Sequence, residues 1–484
     1  MSKKTGVGSA GTKASGQSGR PRGAPLRSAR ASGGGSTVAA GVVGGGVDGA
    51  GMAGGLRFGF LEEAVRRLLP CVRPADVELR AFFRAQPLLG RRDRARVAAA
   101  AFAVLRHRRR FEHLVAGGPG PRERLLALVG LCLTAGEKAC AGAVARDPDL
   151  ARWMASVASS LDDAGRLAAL APAVRNSLPD WLHDRLAAQW SGAELEALEA
   201  ALLTQAPLDL RVNTLKGDVD AAVAALAEEG IVAEPIARVA GALRLQGHPA
   251  LELSKTFLDG RVEVQDAGSQ WLVSCVGARR GETIVDFCAG AGGKTLALAA
   301  ALRGGGQVFA LDVSDVRLAK LRPRLLRAGA TNVQPMRIDS EQDPKLVRLA
   351  GRADRVLVDA PCSGTGTLRR NPDLKWRQTP RDVAELTARQ GAILAAAARL
   401  VKPGGRLVYA TCSLLEVEND GVARTFLHQH PDFVAVEADP SGVGTPTGFS
   451  GARGLLPHRD QTDGFYVAAF ERQKRGAAAA PVRD

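Results

Sequence analysis

The chain has 484 residues, 46% of them apolar and 24% charged, with a formal net charge of +15. That length suggests about two or three domains with enough apolar residues to bury cores. So large a positive excess favours a polyanionic partner, nucleic acid or an anionic membrane surface. The absence of any charge-free apolar run of about eighteen residues excludes a transmembrane helix. Seven cysteines without a Cys-x-x-Cys pair argue against a disulfide framework and a zinc ribbon. Of the histidines only His428 and His430 lie close together, with no cysteine beside them, so no metal site is expected. A reducing cytoplasm is the expected compartment.

In chain order, residues 1–55 are dominated by Gly, Ala and Ser, with seven Lys or Arg, one acid (Asp48) and no aromatic residue. Such a segment has nothing to bury and reads as a disordered basic tail. It also matches an Arg- and Ser-rich, acid-poor transit peptide, or sequence upstream of a true start at Met52. The same Ala, Gly and Arg richness continues through the whole chain, which weakens the transit-peptide reading. Residues 56–175 read as helical. Leu61, Ala64, Val65, Leu68 and Leu69 recur at helical spacing, as do Val97, Ala101, Val104 and Leu105. Two Arg-dense clusters, residues 91–96 and 106–110, bracket one helix there. They are either a candidate RNA-binding surface or a solvated face.

Residues 176–260 form a second unit. Pro179-Asp180-Trp181-Leu182 opens an amphipathic helix and Ala193 to Leu203 reads as another. A strand over Leu208–Thr214, a helix over Val219–Glu228 and a strand over Ala242–Leu245 then make a small α+β module. Arg211 and Asn213 alternate with Leu210 and Val212, so they face away from that module's core, toward solvent or RNA.

Residues 261–472 alternate strand and helix: strands at Thr283–Phe287, Gln307–Leu311, Val333–Ile338, Arg355–Val358 and Arg406–Ala410, and helices at Thr295–Leu302, Val316–Ala328 and Pro380–Leu400. This pattern predicts an α/β fold with a doubly wound, mostly parallel sheet. Thr379 is the expected N-cap of the last helix, Pro380 its first residue, and Pro403-Gly404-Gly405 its stop. Pro323 predicts a kink or early stop. Residues 473–484 read as a flexible tail.

Cys288-Ala289-Gly290-Ala291-Gly292-Gly293-Lys294-Thr295 lies between the first of these strands and its helix. Glycines there admit a ligand close to the backbone, and the helix N-terminus favours negative charge. A P-loop would need Gly where Cys288 stands, and a dinucleotide fingerprint would need Gly at Thr295. The remaining candidate is a nucleoside with a carboxylate tail, S-adenosylmethionine. Asp312 ends the second strand, where an acid can hold ribose hydroxyls, and Asp339 ends the third, within reach of an adenine edge. Asp286 and Asp359 end two more strands on the same edge. Asp359-Ala360-Pro361-Cys362-Ser363-Gly364 and Thr411-Cys412-Ser413 each follow a buried strand, so Cys362 and Cys412 are expected side by side at the mouth of one crevice.

These blocks, from Asp286 to Thr295, Asp359 to Gly364 and Ala410 to Ser413, resemble the signatures of the Sun/RsmB family of RNA (cytosine-5) methyltransferases. The stretch from Arg369 to Trp376 is similar to the block that follows in bacterial ribosomal RNA members. Leu210 to Lys216, Val264-Gln265-Asp266 and Asp463-Gly464-Phe465-Tyr466 extend the resemblance over about Leu178 to Arg472. The helical N-terminus matches that family's NusB-like domain only in outline. The resemblance implies a Rossmann-like class I methyltransferase domain that methylates carbon 5 of a cytosine, in 16S ribosomal RNA or alternatively in transfer RNA, acting as a monomer away from membranes. Cysteine chemistry suits that reaction, since a thiolate adding at carbon 6 makes carbon 5 nucleophilic. The thiol pKa must then be lowered, with Lys294 and the cofactor's sulfonium charge as candidate causes. Spacing does not say which cysteine attacks. Analogy with DNA enzymes favours Cys362, whereas the RNA family implies that Cys412 attacks, Cys362 assists release, and Asp359 contacts the cytosine edge or the cofactor's methionine end. A DNA methyltransferase would need a target-recognition region, which is not evident after Val467. A non-catalytic RNA-binding assembly factor would have no use for the cysteine pair.

Overall fold

The computed structural model describes residues 55–161, 163–439 and 441–474. The basic tail read at residues 1–54, the possible start at Met52 and the chain end beyond 474 lie outside the described residues. No helix among the described residues is long and apolar enough to cross a membrane.

The first part is helical. Helix Arg122–Ala135 is its hub, buried on every side from Leu125 to Cys132, as expected of a helix apolar all round. It packs against helix Arg91–Arg106, and the approach is close: a Cβ on Gly130 would sit 2.7 Å from the Ala100 carbonyl oxygen. The Arg-dense cluster at residues 106–110 is largely turned to internal use. Arg108 donates to the Leu69 carbonyl at 3.0 Å, Arg109 to Leu178 at 2.8 Å and Arg110 to Leu161 at 2.9 Å. Each guanidinium thus spends at least one donor on a carbonyl of the chain while staying partly exposed.

The small module is a four-stranded antiparallel sheet of β1 (Asp209–Val212), β2 (Ala233–Pro235), β3 (Ala242–Leu245) and β4 (Val262–Val264), in the order β2-β3-β1-β4. Helix Val219–Glu228 starts at Asp218, whose carboxylate accepts from the Ala221 amide at 2.9 Å. Arg211 and Asn213 do face away from this module's own core, but the space beyond is occupied. Both are buried. Arg211 Nε donates to Gln265 Oε1 at 2.7 Å, and Asn213 Nδ2 donates to the Gly260 and Ala328 carbonyls at 2.8 Å each. They join the module to the next domain and are buried there, not turned to solvent.

That domain holds a nine-stranded sheet: β5 (Thr283–Asp286), β6 (Gln307–Asp312), β7 (Val333–Arg337), β8 (Ala353–Asp359), β9 (Val401–Thr411), β10 (Phe433–Val436), β11 (Thr445–Pro446), β12 (Arg453–Leu455) and β13 (Phe465–Arg472). The order is β11-β12-β13-β9-β8-β5-β6-β7, with β10 on β13. Strands β5 to β9 run parallel and β13 is antiparallel to β9. This is the doubly wound Rossmann-like arrangement, with an apolar core on each face. The chain order reverses between β5 and β8, where ligands bind in such folds.

Helix Pro380–Ala398 begins as expected, with a reciprocal capping box between Thr379 and Asp382. Two punctuation readings are corrected. Helix Asp315–Ala328 runs through Pro323 to Ala328 without stopping early, because burial of Leu318, Leu321 and Leu325 on one face outweighs one lost hydrogen bond. Pro403-Gly404-Gly405 lies inside β9 and not at the helix end. The register jumps there: Ala353 pairs with Val401 but Arg355 with Arg406, and Gly404 takes φ +77°.

The stretch Arg369–Trp376 ties the three parts together. Arg106 donates to the Arg369 carbonyl at 2.9 Å, Lys375 to the Arg106 carbonyl at 2.8 Å, and the Trp376 indole to Leu105 at 2.7 Å. Burial, reinforced by Arg106, pulls the Lys375 pKa well below the ordinary lysine value. Arg370 reaches the other way, to the Pro207 carbonyl at 3.0 Å, Asp266 at 2.8 Å and Asp463 at 2.6 Å. Arg370→Ala would leave two buried carboxylates facing each other. The expected loss is about 3 kcal/mol, at the low end for a broken buried pair because Arg370 is partly exposed. Urea unfolding checks this, and an unchanged midpoint would contradict it.

Candidate active site

Strand β5 ends at Asp286, and the chain turns through the glycine loop into helix Gly293–Ala301. Gly290 and Gly292 take φ +57° and +86°, open to glycine at little cost. At Gly292 the demand is double, since a Cβ would fall 2.1 Å from a Leu321 methyl. The loop is held from β6: one Asp312 oxygen accepts from the Gly290 amide at 2.8 Å, the other from the Ser314 amide at 2.8 Å. Arg317 pairs with the same carboxylate at 3.2 Å.

A cavity of about 750 Å3 opens over this loop, within the usual range for a nucleotide-sized ligand. Every site residue predicted from the sequence lines it except Gly292, which packs beneath. Asp339 lines it while paired with Arg337 at 2.9 Å. Asp286 is fully buried, and burial pushes its carboxyl up to about 7 against the pull of the Thr295 hydroxyl, which donates to it at 2.7 Å. Its other oxygen has no partner among the described residues. Cys288 also lines the cavity. Burial, then the carboxylates Asp359, Asp286 and Asp312, hold its thiol far above the ordinary range, so it stays a neutral packing group.

The two chemically distinctive cysteines meet across the pocket. Strands β8 and β9 pair in parallel, with Asp359 opposite Ala410, so the loops leaving them are neighbours. Cys362 Sγ lies 3.4 Å from Cys412 Sγ. The hydrogen bond to Cys412, then burial, raises the Cys362 thiol well above its usual value. Lys294 Nζ donates to Asp359 Oδ2 at 2.6 Å. Burial would pull the Lys294 pKa down, but Asp359 overrides it and, with help from Cys412, leaves the pKa raised. The site therefore offers a firmly charged ammonium near one sulfur and a firmly neutral thiol beside it.

Sequence reasoning did not single out several contributors. Gln265, Ser269 and Phe465 line the far side of the cavity, and Arg317 and Arg389 its rim. Gln265 is held by Arg211 of the small module. Beneath the cysteines, the buried carboxylate of Glu418 accepts from the Ser363 amide at 2.9 Å and from the Ser363 and Ser413 hydroxyls at 2.5 Å each. An acid two residues from another, only partly buried one (Glu416) carries no sequence signal that separates them.

A Rossmann-like sheet, a glycine loop under a nucleoside-sized cavity and acids at the strand ends define an S-adenosylmethionine-dependent methyltransferase. The residues fit that cofactor, with open glycine backbone and an unpartnered Asp286 oxygen to receive it. Residues 273–471 match the family described as 16S rRNA methyltransferase RsmB/F, and residues 178–252 match its ferredoxin-like domain. The chain is 39% identical over 302 residues to the probable ribosomal RNA small subunit methyltransferase B of Synechocystis sp., covering 61% of this chain and 67% of that protein. It is 32% identical to its probable counterpart in Bacillus subtilis, covering 62% and 68%. The crystal structure of PH0851 superposes with a TM-score of 0.70 at 27% identity, covering 86% of this chain and 99% of that one. The chain belongs to the RsmB/F family of methyltransferases, and its match spans about two thirds of the length of these curated relatives.

Because Asp312 anchors the Gly290 amide, Asp312→Ala is expected to loosen the loop and weaken S-adenosylmethionine binding about tenfold or more, the usual cost of losing hydrogen bonds to a charged group. Calorimetry gives the affinity directly; an unchanged value would remove Asp312 from the cofactor site.

Proposed function

We propose that this protein transfers a methyl group from S-adenosylmethionine to carbon 5 of a cytosine in 16S ribosomal RNA, through a covalent cysteine–cytosine intermediate. The observation that carries this reading is the Cys362–Cys412 pair, 3.4 Å apart beside the Lys294–Asp359 ion pair. The family membership, the net charge of +15 and the relatives' ribosomal RNA names favour the RNA substrate.

In this reading Cys412 is the nucleophile. The Lys294 ammonium interacts electrostatically with Cys412, and the Cys362 thiol donates to the same sulfur. Addition of the thiolate to carbon 6 forms the carbon–sulfur bond and makes carbon 5 an enamine terminus. The bound cofactor supplies an electrophilic methyl group at that carbon. Transfer of the carbon 5 proton to solvent water then leaves its electron pair to re-form the carbon 5–carbon 6 double bond as the carbon 6–sulfur bond breaks and Cys412 departs as thiolate. Cys362, able to donate to the departing sulfur, assists this release. In this reading Asp359, held by Lys294, contacts the cytosine edge or the cofactor's methionine end. Asp312 holds the ribose hydroxyls and Asp339 the adenine edge.

Incubation with labelled S-adenosylmethionine and 16S RNA, followed by bisulfite mapping, tests the assignment; label on another base would contradict it. Cys412→Ala is expected to abolish turnover and form no adduct. Cys362→Ala is expected to form the adduct and release it slowly, so that protein-bound RNA survives denaturing electrophoresis. A step needed only for elimination leaves the earlier steps intact when it is removed. An adduct trapped by Cys412→Ala would instead make Cys362 the nucleophile.

A further inference from the structure

Neither thiol is fixed by its own loop alone. Ser363 follows Cys362 and Ser413 follows Cys412, and both hydroxyls donate to one carboxylate while also lying within hydrogen-bond distance of each other at 3.2 Å. Glu418, fully buried, receives the Ser363 amide at 2.9 Å, the Ser363 hydroxyl at 2.5 Å and the Ser413 hydroxyl at 2.5 Å. Gln390 closes the other side: its amide nitrogen donates to Glu418 Oε1 at 2.9 Å and to the Pro361 carbonyl at 3.0 Å. Cys362 is thus gripped at the residue before it and the residue after it. The Tyr409 hydroxyl donates to the Glu418 backbone carbonyl at 2.6 Å, so the acid itself cannot drift. Its neighbour Asn419 completes the frame, accepting from the Thr411 hydroxyl at 2.5 Å and donating to the Ser413 carbonyl at 3.0 Å.

A buried carboxylate with four donors aimed at it is costly to bury and costly to disturb. Simple fold stabilisation would be served as well by apolar packing at this place. What an apolar core would not supply is a fixed relation between two loops that leave different strands. We propose that Glu418 is a positioning residue for the reaction, a single anion that staples the Cys362 and Cys412 loops together and sets the sulfur-to-sulfur distance. It touches neither substrate nor cofactor and acts through Ser363 and Ser413. The inference rests on the two-cysteine reading given above. Its charge also works in one direction: it disfavours a thiolate on Cys362, its nearer cysteine neighbour in effect, alongside the larger influence of Cys412 and burial.

The test uses Glu418→Gln, and Ser363→Ala with Ser413→Ala as a second variant should the first fail to fold. A carboxamide keeps the shape but cannot accept from four donors. The expected result is a fall in kcat of about tenfold to a hundredfold, with KM for RNA and S-adenosylmethionine within about twofold, and with the serine substitutions adding little on top of Glu418→Gln. Independently of methyl transfer, alkylation of each thiol by iodoacetamide is followed against pH by peptide mapping. The Cys362 profile is expected to move to lower pH in Glu418→Gln. Unchanged kcat in both variants, or equal loss of KM and kcat with unmoved thiol profiles, would overturn the inference. An inactive wild-type protein would instead sink the cytosine reading, and the thiol profiles would still decide on Glu418.

Discussion

The parallel pairing of β8 with β9 is the constraint on which the site depends. Asp359 stands opposite Ala410, and each strand ends within three residues of a cysteine. Two stretches fifty residues apart in sequence are therefore delivered to one place by backbone hydrogen bonds alone. The pairing brings the sulfurs near each other, and the carboxylate network beneath sets the last ångström. The glycine loop reaches the same place from β5, the next strand over, and carries Lys294 with it. Cofactor loop, ammonium and thiols thus share one edge because three adjacent strands end there.

The other parts of the chain are fastened to that edge by few but well-buried groups. The stretch from Arg369 to Trp376 follows directly from the Cys362 loop. It grips the helical region through Lys375 and Trp376 and the small module through Arg370. Arg211 reaches from the small module to Gln265, which lines the cavity. The domains that precede the catalytic sheet are in this way within one or two side chains of the reaction centre.

The sequence was most readable where the cause is local. Short apolar runs alternating with helical stretches marked every strand of the parallel sheet, and most ends agreed within a few residues. Thr379 and Pro380 declared a helix start through capping chemistry that needs no partner elsewhere. The glycine loop could be separated from a P-loop by one residue, Cys288. Destinations of polar side chains were not readable. Alternation showed that Arg211 and Asn213 leave their own core, but only the assembled chain shows that another domain covers them. Residues 106–110 looked like a nucleic-acid patch because charge density is visible in sequence and carbonyl partners are not. Pro323 was read as a kink or an early stop and Pro403-Gly404-Gly405 as a helix stop, yet tertiary burial and strand pairing carried the chain past both without a stop. Glu418 was invisible because its meaning lies in two serines on separate loops.

The central claim is that one of two adjacent thiols becomes covalently attached to the cytosine. The most direct measurement uses 16S RNA carrying 5-fluorocytosine, in which the carbon 5 fluorine replaces the proton that must leave, so the intermediate cannot collapse. After reaction with the wild-type protein and S-adenosylmethionine, peptide mapping locates the attached nucleotide. The account predicts a stable adduct on Cys412. Attachment at Cys362, or no adduct while unmodified RNA is still methylated, would contradict it.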